Sequence, residues 1–315
     1  MKTNGFATAK RNQLIFTISM LILPILQVLA FYVYVNFNSF FTAFQKYDDI
    51  AGKYVWNGFN NFKDVFAAFD PESISYDRSL GSSLLNSMLI FVVSLLCGSL
   101  PSIIFSYYIF KKRRGHEFFK TILYVPHIIS TVVFSMLYVN FFDAVIPEII
   151  YNSTGEIVEP WLSDVSNVER VRTLSIVFSV FIGFGMQVLL YSGAMSGINE
   201  SIIESGQLDG ITPMKELFLV VLPLIWSTFV TFMVMSVIGI FSNQMSLYTL
   251  YREGAPKDLY TFGYYLYVKS LYAQGNAYYN QYPFVATLGL MMTLIAVPLT
   301  LIVRKLLVKL GPKTE

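Results

Sequence analysis

Long uncharged stretches alternate with short charged segments along this chain of 315 residues. Six stretches lack Asp, Glu, Lys and Arg over at least the roughly 20 residues that a helix needs to cross the hydrocarbon layer of a membrane. They lie between these pairs of charged residues: Arg11 and Lys46, Arg78 and Lys111, Lys120 and Asp143, Arg172 and Glu200, Glu216 and Arg252, and Lys269 and Arg304. The pattern predicts six transmembrane helices, one in each stretch.

The distribution of basic residues predicts the orientation of these helices. Lys and Arg concentrate in the N-terminal segment, in the second-to-third connection and in the tail: Lys2, Lys10, Arg11, Lys111, Lys112, Arg113, Arg114, Lys120, Arg304, Lys305, Lys309 and Lys313. The opposite connections are acidic on balance. Because short cytoplasmic loops retain Lys and Arg while translocated loops lose them, we expect both termini to be cytoplasmic.

Composition excludes several classes of function. With 55% hydrophobic and 13% charged residues, the chain is too apolar for an ordinary soluble domain. Its net charge of +2 hides a polarised distribution, which topology explains better than nucleic-acid binding does. The chain has a single cysteine, so it has no intramolecular disulfide framework. It has only two histidines and no HExxH or CxxC spacing, which gives no support for a metal site. No P-loop pattern occurs, so ATP hydrolysis is not expected of this chain.

Prolines predict that the helix bundle is bent. They lie within or beside five of the six predicted spans: Pro24, Pro101, Pro126, Pro223 and Pro298. Each removes a helical hydrogen bond, which a membrane protein tolerates where neighbouring helices satisfy the freed carbonyl group.

Two features of the sequence admit two interpretations each. The outer segment between positions 248 and 282 is dense in tyrosine, which fits either an interfacial aromatic belt or a surface that stacks on sugar rings. His127, inside the third predicted span, is either a proton-relay group or a neutral packing residue.

The connection between the fourth and fifth helices, residues 196–216, has the pattern of a helix, a turn and a second helix. Apolar residues recur near helical spacing in its first part, Asp209 and Gly210 predict the end of that helix, and Pro213 predicts the start of the next one. A short amphipathic helix on the cytoplasmic side is therefore expected, and its apolar stripe suits either the membrane surface or a groove of a partner protein.

This segment resembles the EAA loop of binding-protein-dependent ABC permeases. Five residues fit that motif in register: Glu204, Asp209, Gly210, Leu222 and Pro223. Ser205 and Gly206 replace its alanines, and Val220 replaces its isoleucine. In that family the loop forms a coupling helix that docks in a cleft of a cytoplasmic ATPase, so the resemblance implies ATPase coupling for Glu204, Ser205, Gly206, Asp209, Gly210, Leu222 and Pro223.

Four further segments resemble sugar permeases of the maltose-transporter type, in the same order along the chain: 56–62, 83–87, 118–126 and 161–164. Together they favour the carbohydrate branch of the family over its amino-acid, phosphate and peptide branches. The resemblance implies a type I ABC importer permease fold, all-α with six transmembrane helices.

Polar residues inside the spans are candidates for the substrate path because they are costly in hydrocarbon unless they face the bundle interior. These are Asn86, Asn140, Gln187, Ser236, Asn243 and Gln244. Counted from the EAA loop, the sugar-holding positions of the maltose-type permease fall on Gly183, Met186, Ser236, Gly239, Ile240 and Asn243. Ile240 and Met186 lack sugar-binding chemistry, so an identical binding mode is not implied. Neutral amide and hydroxyl groups suit an uncharged polyol.

The sequence thus predicts a permease subunit that moves a sugar or oligosaccharide by alternating access. Its expected organisation is a terminus and first helix (1–36), an extracytoplasmic loop (37–81), a five-helix core (82–304) and a cytoplasmic tail (305–315). Expected partners are membrane lipid, a second permease subunit in a heterodimer, an extracellular sugar-binding protein, and an ATPase dimer that holds ATP and Mg²⁺, with no cofactor on this chain. The alternatives are an ABC permease for a solute such as glycerol-phosphate and an ion-coupled secondary transporter.

Overall fold

The computed structural model describes residues 3–272 and 281–312, in which helices dominate. The α-helices are α1 Thr3–Gln27, α2 Val35–Thr42, α3 Asn60–Phe69, α4 Arg78–Val93, α5 Leu100–Phe110, α6 His116–Ile128, α7 Thr131–Asn140, α8 Ile146–Thr154, α9 Val168–Ser196, α10 Glu200–Leu208, α11 Pro213–Glu216, α12 Leu222–Leu224, α13 Trp226–Ser242, α14 Leu247–Tyr251, α15 Phe262–Tyr272 and α16 Gln281–Leu310. The strands are β1 Gln45–Asp48 and β2 Lys53–Trp56, and Lys257–Leu259 forms a 3₁₀ turn.

Five helical stretches in the described residues are long and apolar enough to cross a membrane. They are Arg11–Thr42, Arg78–Phe110, Thr131–Thr154, Val168–Ser196 and Gln281–Leu310. A further pair, Pro213–Leu224 and Trp226–Ser242, passes the same test together but bends by 80° at Ile225. If the bent pair counts as one span, the described residues contain six spans, the number predicted from the sequence.

The third span differs from its predicted position between Lys120 and Asp143. The helix is interrupted at Ile129 and Ser130, whose ψ angles of 139° and 128° are extended. Pro126 lacks the N–H that would continue the helical ladder, and α6 ends two residues after it. The stretch that is long enough to span the membrane therefore begins only after this break and continues past Asp143.

Four segments of the described chain widen into π-helix, and three of them end two residues before a proline. These segments are Val28–Tyr34, Ser94–Ser99, Phe141–Val145 and Leu217–Val221, and the prolines are Pro101, Pro147 and Pro223. Proline has no N–H for the carbonyl four residues earlier, and its ring crowds that carbonyl. A π-type turn gives the carbonyl a donor five residues on instead. Of the five prolines predicted to bend the spans, Pro101 and Pro223 follow such a widened segment.

The chain divides into two compact units, and the smaller comprises residues 1–66 and 269–291. Its antiparallel hairpin pairs Gln45 with Trp56 at the open end. The Asn61 amide donates hydrogen bonds to the carbonyls of Ala43 (2.8 Å) and Gln45 (2.7 Å), and the Thr287 hydroxyl donates to Ala43 (2.9 Å). These bonds satisfy carbonyl groups where α2 passes into the hairpin.

The larger unit comprises residues 67–268 and 292–315, and its centre is the packing of α5 on α9. The Ser106 hydroxyl of α5 donates to the Val188 carbonyl of α9 at 2.8 Å. Helix α6 lies on α9 so closely that a Cβ atom on Gly185 would overlap the Leu123 carbonyl oxygen. Small residues at helix interfaces allow such close approach within membranes.

Hydrogen bonds join the first half of α4 to residues 258–260 of the same unit. Arg78 makes a bidentate ion pair with Asp258, at 2.6 and 2.8 Å. The Asn86 amide, buried in the unit, donates to the carbonyls of Asp258 (2.7 Å) and Tyr260 (2.9 Å). The 3₁₀ turn and the residue after it are therefore tied to α4.

We expect Gly185→Ala to lower the thermal unfolding temperature of the detergent-purified protein. The added methyl group would overlap Leu123, and overpacking of this kind typically costs about 1–3 kcal/mol. Gly193→Ala is the matched control, because no atom lies within 4 Å of a Cβ at that position in the same helix. That variant should be neutral or more stable. Equal unfolding temperatures for both variants would show that α6 and α9 do not touch.

Candidate functional site

A cavity of about 300 Å³ opens between three helical stretches of the larger unit, namely Arg78–Phe110, α9 and α13. It lies near the middle of Arg78–Phe110 and of α9. Its walls come from α4 and the π-helical segment after it, from α9, and from α13 with Asn243 directly after it. The lining residues are Phe91, Ser94, Gly98, Ser179, Val180, Gly183, Gln187, Phe232, Met235, Ser236, Gly239 and Asn243. None of these twelve described residues carries a charge.

Each wall presents a stripe of residues spaced by one or two helical turns. Ser179, Gly183 and Gln187 follow one another at intervals of four, and Ser236, Gly239 and Asn243 follow at intervals of three and four. Sequence reasoning missed Ser94, Gly98 and Ser179 as members of the cavity. Their spacing was visible, but small residues at such intervals also mark ordinary helix contacts.

Two amide side chains supply the unused hydrogen-bonding capacity of the cavity. The Gln187 oxygen Oε1 is buried and has no hydrogen-bond partner among the described residues. The Asn243 oxygen Oδ1 accepts a hydrogen bond from the Met245 backbone at 2.7 Å and so helps to end α13. Its Nδ2 group has no partner among the described residues. Since buried polar groups are normally bonded, an unpaired acceptor beside a cavity is a candidate contact for a hydrogen-bond donor.

Five of the seven substrate-path candidates line this cavity: Gly183, Gln187, Ser236, Gly239 and Asn243. Met186 and Ile240 do not, and Ile240 is a buried packing residue. The other polar candidates, Asn86, Asn140 and Gln244, also lie outside the lining. The side chain of His127 lies outside the part of the structure that is described.

The predicted amphipathic helix of the EAA-like loop forms α10. Asn199 caps its start, where Oδ1 accepts a hydrogen bond from the Ser201 backbone at 3.1 Å. At its end Gly210 adopts a φ of +74°, a left-handed conformation that disfavours any residue with a Cβ. The Gly210 N–H donates to Gln207 (3.0 Å) and the Ile211 N–H to Gly206 (3.1 Å). This paired pattern is a Schellman motif, which defines the exit of the chain from the helix.

The departures from the EAA pattern fit this geometry. An alanine Cβ at Gly206 would lie in ordinary contact with the Ile211 side chain, at 3.5 Å. Ser205 is exposed, and its hydroxyl donates to the Ile202 carbonyl at 2.9 Å. Helix geometry is therefore retained where small residues replace the alanines.

A buried apolar cluster fixes α10 to the base of the long helices. It joins residues of α5, α9, α10 and the stem that leads from the loop into α13: Ile103, Tyr107, Tyr191, Met195, Ile203, Leu217, Val221 and Ile225. Leu222 packs against this cluster, and Pro223 lies at the end of the stem. Glu204 and Asp209 remain exposed. The helix thus buries one face and leaves its carboxylates available to a partner.

A polar cleft of about 940 Å³ runs beside α10. One wall is α10 itself, with Glu200 and Glu204, and the other is the basic turn 111–114 after α5. At its edge the Lys111 ammonium group lies 2.8 Å from the carboxylate of Glu216, which is almost completely buried. The sequence did not predict this ion pair, because 105 positions separate the two residues.

The described residues hold no group of three or more His, Cys, Asp or Glu side chains arranged to bind a metal ion. The site consists instead of an uncharged cavity among the spans and a charged loop at one end of them.

Comparison with known proteins identifies the class of protein that has this arrangement. The chain belongs to the family of binding-protein-dependent transport system inner membrane components, whose family model matches residues 94–315. It is therefore a membrane permease component of a binding-protein-dependent transport system, in a family of transport components rather than of enzymes.

Individual relatives are distant but cover much of the chain. The arabinooligosaccharides transport system permease protein AraP of Bacillus subtilis is 23% identical over 287 residues, which are 90% of this chain and 85% of AraP. The sn-glycerol-3-phosphate transport system permease protein UgpA of Yersinia pestis is 23% identical over 207 residues, 65% of this chain and 66% of UgpA.

A solved structure shares the fold. It is a chain of a bacterial ABC transporter involved in the import of the acidic polysaccharide alginate. The match has a TM-score of 0.74 and 21% sequence identity, and it covers 97% of this chain and 99% of that chain. The predicted ABC importer permease fold is thereby confirmed.

We expect Gln187→Met to raise the thermal unfolding temperature of the purified chain in the absence of solute. Methionine has nearly the same shape without a buried acceptor, and an unsatisfied buried polar group costs about 1–3 kcal/mol. Gln244→Met makes the same change outside the cavity lining and should have little effect. A lower unfolding temperature for Gln187→Met alone would show that its oxygen is hydrogen-bonded in the empty protein.

Proposed function

We propose that this chain is one half of the translocation pore of an ATP-driven importer, and that it passes a neutral sugar or oligosaccharide into the bacterial cytoplasm. The observation that carries the substrate class is the unpaired Gln187 oxygen in an uncharged cavity. A sugar hydroxyl donates one hydrogen bond and accepts others, so it suits both the Gln187 acceptor and the Asn243 donor.

The shape and composition of the cavity support the same class. Its volume is at the lower end of the roughly 300–1,000 Å³ that small-molecule sites occupy, as expected if a second subunit supplies the rest. Phe91 and Phe232 add apolar ring surface beside the amides. Such a mixture of aromatic faces and neutral polar groups suits the apolar faces and hydroxyl edges of a sugar ring.

The similarity to UgpA makes a glycerol-phosphate-like solute the second candidate. A phosphate would call for Lys or Arg in the path, since those side chains neutralise and bind phosphate oxygens. The described lining of this cavity contains neither. An ion-coupled transporter would call for a carboxylate at the substrate site, which the lining also lacks. The neutral-sugar proposal requires no group beyond those present.

The proposed cycle assigns each partner to a surface. A sugar-loaded binding protein docks on the extracytoplasmic side, and a second permease subunit completes the pore as a heterodimer. Two cytoplasmic ATPase subunits hold ATP and Mg²⁺, and α10 docks in a cleft on one of them through the exposed Glu204 and neighbouring residues. Both termini then face the cytoplasm, as the basic segments favour. Closure of the ATPases moves α10 and opens the cavity outward.

Replacing Gln187 by Met or Asn243 by Ala should reduce ATP-dependent sugar uptake by proteoliposomes containing the complete complex. Each lost hydrogen bond to the sugar is worth about 0.5–1.5 kcal/mol, so we expect about a two- to tenfold rise in the concentration needed for half-maximal uptake. Gln244→Met serves as the control with unchanged uptake. Unchanged uptake in both cavity variants would place the sugar path elsewhere.

Replacing Gly210 by Ala should uncouple ATP hydrolysis from uptake. Its φ of +74° strains a residue with a Cβ by roughly 1–2 kcal/mol, which shifts the chain away from the loop geometry that α10 needs for docking. Gly206→Ala places the same methyl group where there is room for it and should retain coupling. The measurement is uptake per ATP hydrolysed, with bound ATPase quantified by co-purification. Full coupling in Gly210→Ala would contradict the assignment of this loop.

A further inference from the structure

Glu216 has a buried carboxylate at the end of the EAA-like loop (residues 196–216), which we call the coupling loop, where the stem leads into α13. It belongs to the last turn of α11, in the stem after the loop, and only 2% of its surface is exposed. Lys111 approaches it from the end of α5, with Nζ 2.8 Å from one carboxylate oxygen and 3.2 Å from the other. The Tyr107 hydroxyl donates to Glu216 at 3.0 Å.

From these contacts we infer that Glu216, Lys111 and Tyr107 form a clamp that transmits movement of the coupling loop to the wall of the substrate cavity. Glu216 and Lys111 are positioning residues in this inference, which rests on the proposed function. A carboxylate removed from water needs a charged or hydrogen-bonding partner to remain ionised there. Both partners of Glu216, Tyr107 and Lys111, lie at the end of α5. Separation of α5 from the stem would therefore leave the Glu216 carboxylate exposed or unpaired.

The helix that carries the clamp also forms part of the cavity wall. Arg78–Phe110 is one continuous helical stretch, and Ser94 and Gly98 of its middle segment line the cavity. Lys111 follows directly at its end. Gly98 and Lys111 are 13 positions apart, or roughly 20 Å at a rise of 1.5 Å per residue. A displacement of the stem therefore reaches the cavity through a rigid element.

The clamp complements the apolar cluster between the same elements. Tyr107 takes part in both, because it belongs to the buried cluster that includes Leu217 and Val221 of the stem while its hydroxyl donates to Glu216. Apolar contacts tolerate sliding, whereas a buried ion pair with a shared hydroxyl fixes distance and direction. The cluster accordingly holds the stem near α5, and the clamp fixes the position of the stem along α5 as the stem moves.

The test uses the native Cys97, which is exposed and directly precedes Gly98 in the same helix. An environment-sensitive fluorophore on Cys97, in a complex whose other subunits have no cysteine, reports movement of the cavity wall when ATP and the loaded binding protein are added. Glu216→Gln and Lys111→Met are compared with Glu169→Gln, which makes the same change in an exposed ion pair. Co-purified ATPase, ATP hydrolysis and uptake are measured alongside.

We expect both clamp variants to retain bound ATPase and ATP hydrolysis but to lose most of the Cys97 signal. Uptake per ATP should fall by about tenfold, within the 5- to 150-fold range typical of coupling between sites. The exchanged pair Lys111→Glu with Glu216→Lys should recover most of both. Glu169→Gln should match wild type.

Two results would overturn the inference. One is an unchanged Cys97 signal and unchanged uptake per ATP in Glu216→Gln. The other is loss of folded complex in the single variants with wild-type coupling in whatever complex remains, since that would make the pair a purely structural contact. Failure of the proposed function is a different result, in which the wild-type complex itself shows no ATP-dependent uptake.

Discussion

The need to satisfy every backbone polar group inside an apolar environment governs this structure. An unbonded N–H or C=O group costs several kcal/mol where no water is present, so the spans are helical and their irregularities must be repaired locally. The π-helical segments before Pro101, Pro147 and Pro223 are such repairs. They also change the direction in which later side chains point, and one of them carries Ser94 and Gly98 into the cavity wall. Proline placement therefore shapes the site as well as the bundle.

The same constraint separates the polar side chains of the spans that are hydrogen-bonded from those that are not. Most polar side chains in the spans bond to a nearby carbonyl, as Ser106 and Asn86 do. Gln187 leaves its oxygen unpaired and buried in an uncharged cavity. The buried charge of Glu216 is fully paired, in contrast. An unpaired neutral acceptor fits a transient ligand, whereas a paired charge fits a permanent mechanical contact. Gln187 lies in the middle of α9, and Glu216 lies at the end of α11, in the stem after the loop.

Sequence patterns predicted those features that depend on local chemistry. Charge-free stretches located all the spans but the third, and the Asp209-Gly210 pair located the end of α10, because a left-handed turn after a helix favours glycine. Contacts between distant positions could not be read in this way. The Lys111 and Glu216 pair joins residues that each resemble ordinary loop charges. Ser179 and Gly98 became cavity residues only when three helices met. The break at Ile129 was missed because the apolar pattern continues across it, although Pro126 marked the place.

Uptake of a neutral oligosaccharide by proteoliposomes containing the complete complex, compared between internal ATP and an imposed ion gradient, distinguishes an ATP-driven importer from an ion-coupled transporter. Our account predicts that uptake requires internal ATP and the loaded binding protein, persists when ionophores collapse all gradients, and stops when the ATPase subunits are omitted. Uptake that continues without the ATPase subunits and disappears with the ion gradient would contradict the account.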